Sequence, residues 1–182
     1  MTSFANVFGY QSNIIVDEDD NTVEKEYNDM SQTFWERIKN NAKFLSEQGL
    51  GPQVINTFES PDSSFYAITY EKVMPLSMDE DDPSTKYLLS KYSKEEIIAK
   101  IGKLVDQLHT IGYGHGDLHI GNIGYIHKDE KFVILDHDTT YLISDGIVDW
   151  FGVWMKEGYD WEETLEEFID LDYYNWRTDW LF

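Results

Sequence analysis

The chain has 182 residues, 41% of them hydrophobic and 15% aromatic, enough to bury a real core and too aromatic for a disordered polymer. Thirty-five acidic residues against fourteen Lys and Arg give a net charge of −21, which repels nucleic acid and anionic membrane and favours, if any macromolecule, a basic partner. With no cysteine there is no disulfide, thiolate metal site or thiol nucleophile, and with no long apolar run the expectation is an intracellular, cytoplasmic protein.

In chain order, residues 6–16 (NVFGYQSNIIV) and 21–27 (NTVEKEY) read as β-strands joined by the turn-prone DEDDN, a hairpin. From Ser31 to Gln48 the apolar residues Trp35, Ile38, Ala42 and Leu45 recur at helical spacing, and Gly49 and Pro52 supply the stop. Residues 52–58 and 64–73 read as two more strands around ESPDSS. The polar, acidic, proline-bearing stretch 74–87 reads as a linker. Ser93 and Glu96 form a capping box ahead of Ile97, Ile98, Ile101, Leu104, Val105, Leu108 and Ile111, the clearest helix pattern in the chain, ending at Gly112.

Immediately afterwards comes GHGDLHIGNIGYIHKDEKFVILDHD, residues 114–138. Residues 124–135 read as a hairpin, with Asn122 entering its first strand and Asp136 leaving its second, so the two side chains converge at one end. A carboxylate beside an amide oxygen offers hard ligands of the kind Mg²⁺ accepts, few in number and completed by phosphate and water. Asp117, five residues before Asn122, is placed to orient an attacking hydroxyl. His115 reads as a brace for the loop backbone, His119 as structural, His127 and His137 as turn or surface residues, and Asp138 as a solvated turn residue first and a second acid at the site as the alternative.

These residues carry a family resemblance. His115–Asn122 resembles the catalytic loop H-x-D-L-x-x-x-N of the protein-kinase-like phosphotransferases, and ILDHD resembles their metal-binding strand end. The His-Gly-Asp form is closer to the RIO, Bud32-type and aminoglycoside or choline phosphotransferase branches than to ordinary protein kinases. The resemblance implies an α+β, two-lobed minimal kinase-like fold with a truncated C-lobe. Residues 1–74 would form the N-lobe, 75–92 the hinge or linker and 93–182 a reduced helical C-lobe. It implies Asp117 as catalytic base, Asn122 and Asp136 as metal ligands, and ATP with Mg²⁺ as cofactors.

By the same resemblance Lys25, on a strand with Val23 and Tyr27 on its face, would hold the nucleotide phosphates, and Glu36 would pair with it. Gly9 would stand in the phosphate loop, Tyr70 at the gatekeeper position, and the backbone of Glu71 and Val73 would bond the adenine. Residues 149–154 (DWFGVW) resemble the helix that supports the catalytic loop. Three features depart from the family: a single glycine in the phosphate loop, Gly116 where many kinases carry Arg, and little chain after Asp136 for an activation segment. The implied activity is transfer of the ATP γ-phosphoryl group to a hydroxyl, foremost Ser or Thr of a protein. The alternatives are a small-molecule kinase and a non-catalytic kinase mimic that binds a host factor.

Overall fold

A computed structural model describes residues 2–5, 11–77, 79 and 81–143. Gly9 and the 149–154 segment lie outside the described residues. The upper layer is an antiparallel five-stranded sheet, spatial order β1-β2-β3-β5-β4, built from β1 (Thr2–Ala5), β2 (Gln11–Asp17), β3 (Thr22–Asn28), β4 (Val54–Glu59) and β5 (Phe65–Glu71). Helix α1 (Gln32–Glu47) sits between β3 and β4 in sequence. Ser31 caps it by accepting from the Phe34 amide, and Gly49 leaves it at φ +70°. The apolar stripe recognisable in the sequence buries Trp35, Ile38, Ala42 and Leu45. Trp35 stacks on Tyr66 of β5 at 4.8 Å and leans on Tyr27 of β3 at 6.1 Å. Removing a ring so placed typically costs about 3–5 kcal/mol.

Below the sheet, β6 (Met74–Pro75), β8 (Ile123–Ile126) and β9 (Lys131–Ile134) form a second antiparallel sheet in the order β6-β8-β9. Two helices, α2 (Pro83–Lys91) and α3 (Lys94–Thr110), and a two-strand pair, β7 (Tyr113–Gly114) with β10 (Tyr141–Leu142), complete the lower layer. The capping box of α3 is present as the sequence suggested, Ser93 and Glu96 each satisfying the other's backbone amide. Helix α2 (Pro83–Lys91) is a correction, because it occupies much of the stretch 75–92 expected as hinge or linker. Asp82 caps it, Pro83 sits at its first position where a missing N–H costs nothing, and Leu88 buries against α3 and the hairpin.

The cores are distinct. Tyr27, Met30, Trp35, Ile38, Ala42, Tyr66 and Ile68 fill the upper layer. Leu45, near the end of α1, and Leu50 just beyond it instead join Ile97, Ile101, Leu104, Val105 and Leu108 of α3 and Ile123, Tyr125, Phe132 and Ile134 of the hairpin. The C-terminal end of α1 is therefore rooted in the lower layer while the rest of it packs under the sheet. Three helices and antiparallel sheets make an α+β chain compatible with a small kinase-like fold. Among the described residues no helix is long and apolar enough to cross a membrane.

Candidate active site

Strand alternation puts Val23, Lys25 and Tyr27 on one face of β3, and register places Val16 and Ile14 of β2 opposite Val23 and Lys25, with Tyr70 and Ile68 opposite them on β5. This is the face that α1 packs against. At its outer end Ile14 and Val16 are left exposed, two apolar side chains on the same face as a charged lysine.

The Lys25 ammonium is almost buried and bonds two carboxylates from the other layer, Asp136 Oδ1 at 2.7 Å and Asp138 Oδ2 at 2.8 Å. Burial opposes its charge, but Asp138 and then Asp136 outweigh that and hold its pKa well above the ordinary lysine value. The second carboxylate oxygen of Asp138 accepts from the Tyr27 hydroxyl at 2.9 Å. Tyr27 and Tyr70 are both pushed to high pKa, first by burial and then by Asp138. Partial burial works against the charged form of Asp136, yet the Lys25 ammonium, with His115 and His137 nearby, brings its carboxyl down to about 2.

Asp136 and Asn122 meet because of the hairpin. Ile123 pairs with Ile134, and the Leu135 amide donates to the Asn122 carbonyl at 2.8 Å, so the residue before β8 and the residues after β9 are neighbours. Asp136 takes a left-handed backbone, φ 54° and ψ 69°, a conformation that Asp adopts more readily than most residues and that turns the chain sharply out of β9. Asn122 is buried, and its amide nitrogen donates to the Asp117 carbonyl at 2.8 Å, which leaves its side-chain oxygen as the atom for a ligand. The Asp136 side chain is 44% exposed, with Oδ1 on Lys25 and Oδ2 remaining. Two hard oxygens with open coordination beyond them suit Mg²⁺, which keeps phosphate and water in most of its positions. Among the described residues no cluster of three or more His, Cys, Asp or Glu forms a self-sufficient metal cage.

The loop carrying Asp117 is clamped to the turn after β9. Buried His115 donates from Nε2 to the Leu135 carbonyl at 2.8 Å, and Thr139 Oγ1 donates to the His115 carbonyl at 2.6 Å. Gly116, at φ +73°, passes so close that a Cβ there would lie 2.9 Å from the Thr139 carbonyl oxygen. His119 turns outward, its Nδ1 accepting from the Gly121 amide at 3.1 Å.

Other expected positions fall differently. Glu36 does not meet Lys25: its side chain is 44% exposed and pairs with Lys39 one helical turn on. The Glu71 amide is already bonded to the Gln53 carbonyl at 3.0 Å and its carboxylate to Gln53 and Lys128. Val73 lies between β5 and β6. Asp138 and His137, expected at the surface, are both buried, because the three-residue 3₁₀ turn His137–Thr139 folds back beneath α1. In the sequence Asp138 reads only as an alternative second acid and Tyr27 only as a neighbour of Lys25 on its strand face; what sequence reasoning missed is that Asp138 bonds both Lys25 and Tyr27. The available signals were an acid two residues past Asp136 and a tyrosine two residues past Lys25 on the same strand face.

Residues 77–146, fewer than half of the chain, match the family model described as Lipopolysaccharide kinase (Kdo/WaaP) family, a kinase family within the protein-kinase-like superfamily. No curated protein is similar enough to the chain to match it.

Proposed function

We propose, from the kinase-family match over residues 77–146 and the site geometry, that the chain transfers the γ-phosphoryl group of ATP to a hydroxyl. The observation that carries the reading is the convergence of Lys25 from the upper sheet with Asp136 from the lower hairpin, 2.7 Å apart, beside Asn122 and the Asp117 loop. The exposed Ile14 and Val16, with Val23 on the same face, offer an apolar roof for an adenine ring, and the carbonyl of Glu71 and the backbone of Val73 its hydrogen bonds. Lys25 would hold the phosphates, and Asn122 and Asp136 would hold Mg²⁺. The metal would neutralise charge on the phosphate oxygens. Asp117 takes the acceptor's proton as the acceptor oxygen bonds the γ-phosphorus and the bond to the ADP oxygen breaks.

The acceptor is a serine or threonine hydroxyl of a basic protein on the first reading, since a surface of charge −21 attracts cations. A sugar hydroxyl is the second reading, favoured by the description of the matching family. Asp117→Asn tests the chemistry. Nucleotide affinity should hold, while turnover falls about 10²- to 10⁴-fold, the usual contribution of a positioned base. Radiolabelled ATP offered with a basic protein, a soluble aminosugar and a lipopolysaccharide separates the acceptors. A wild type that labels none of them, or an Asp117→Asn variant as active as wild type, counts against the proposal.

A further inference from the structure

We propose that Asp138, from the turn after the hairpin, is the residue that positions Lys25 for the nucleotide, and that no acid on α1 shares that task. This rests on the phosphotransferase reading of the site. A lysine that must meet phosphates across a cleft needs a fixed partner, or its four-carbon stem samples many rotamers. Of the two carboxylates on Lys25, Asp136 is the half-exposed one, bonded through Oδ1, and on the proposed function its Oδ2 would be left for the metal. Its charge is shared with a cation whenever the site is loaded. Asp138 is 7% exposed, and both of its oxygens are taken from one strand, Oδ2 by Lys25 at 2.8 Å and Oδ1 by Tyr27 at 2.9 Å. Strand alternation puts those two donors side by side, so the carboxylate spans them as a bridge.

The turn that carries Asp138 is itself held by α1 through its backbone. Arg37 donates to the Asp138 carbonyl at 3.2 Å, and Asn41 donates to the Thr140 carbonyl at 2.9 Å. The helix therefore grips the turn, and the turn grips the lysine. Glu36, at the helix position from which an acid could reach a strand lysine, is turned to Lys39 instead. A consequence is that moving α1 drags the turn whose Asp138 holds Lys25, and with it the loop that also carries Asp136. The lysine anchor and the metal ligand move together, two residues apart on one turn.

The test uses the full chain and a fluorescent ATP analogue titrated with Mg²⁺ present. Asp138→Asn should weaken nucleotide binding by about tenfold or more, as expected on losing one charge-assisted hydrogen bond. Glu36→Gln should change it by less than about twofold. In a Lys25→Met background Asp138→Asn should add less than about twofold, because its effect runs through the lysine. The same cycle read by thermal melting guards against misfolding: Lys25→Met/Asp138→Asn should melt above Lys25→Met alone, since the single change strands a buried carboxylate. If Glu36→Gln weakens binding as much as Asp138→Asn, or if the effect of Asp138→Asn persists undiminished without Lys25, the inference fails while the phosphotransferase reading stands. A wild type that binds no Mg–nucleotide overturns both.

Discussion

Gly116 is the residue on which the closeness of the Asp117 loop to the turn after β9 depends, and replacing it with alanine makes that closeness measurable. At φ +73° an L-residue is disfavoured by about 1–2 kcal/mol. The added Cβ would also sit 2.9 Å from the Thr139 carbonyl oxygen and 3.3 Å from the Tyr141 ring, and overpacking of this kind costs a further 1–3 kcal/mol or so. The obstacle is backbone, which cannot swing aside as a flexible side chain would. Together the two effects come to about 2–5 kcal/mol, which lowers the melting temperature of a chain this size by roughly 4 to 20 °C. Gly112 supplies the control: it has φ +82° and nothing within 4 Å of where a Cβ would stand. Gly112→Ala should therefore show the conformational cost alone, about 1–2 kcal/mol. Calorimetric melting of the two variants beside wild type separates the contributions. Equal melting of Gly116→Ala and Gly112→Ala would show that the contact between the Asp117 loop and the turn after β9 carries no cost, and would refute the reasoning.

Two other outcomes follow from the site. Asp136→Ala should abolish the dependence of nucleotide affinity on Mg²⁺, checked by titrating wild type and variant with and without the metal; equal affinity in all four cases removes Asp136 as a ligand. His137, buried with no hydrogen-bond partner for either ring nitrogen among the described residues, has its pKa lowered to about 3, chiefly by burial and then by the His115 charge. Its unfolded value is higher, so between about pH 6.5 and 3 the unfolded chain binds the extra proton and stability falls with falling pH, by about 1.4 kcal/mol per unit at most. Urea midpoints measured across pH 7 to 4 should decline less steeply in His137→Phe than in wild type; parallel slopes would mean that another group titrates.

Local signals in the sequence carried α1, α3 and the 123–134 hairpin, because each is set by contacts within its own segment: an apolar stripe, a capping box, alternating β-formers on either side of a polar turn. The meeting of Asn122 with Asp136 was legible for the same reason, since it follows from hairpin register alone. Helix α2 was obscured by its acidic approach, Asp79 to Asp82, whose last member is its cap. The environment of Lys25 was not legible, because both of its partners lie more than 100 residues away and the choice between Glu36 and Asp138 is made by how α1 is rotated on the sheet. The burial of His137 depends on that same packing: its ring reaches Gly51, where a Cβ would stand 2.7 Å from Nε2.

Strand β6 limits how far the two sheets can move relative to each other. β5 ends at Glu71 and β6 begins at Met74, so only Lys72 and Val73 connect a strand of the upper sheet to a strand of the lower one. Lys72 is tied back through its amide to the Asn21 carbonyl at 3.0 Å, the Val73 side chain lies directly over Gly124, and the Leu76 amide bonds Ile123 at 2.8 Å. A joint of two residues, fastened on both sides, has few torsions free to open or shut. The spacing of the two sheets at this joint is thus set largely when the chain folds, and a ligand bridging them, as the proposed function requires, would spend little of its binding energy on ordering the joint.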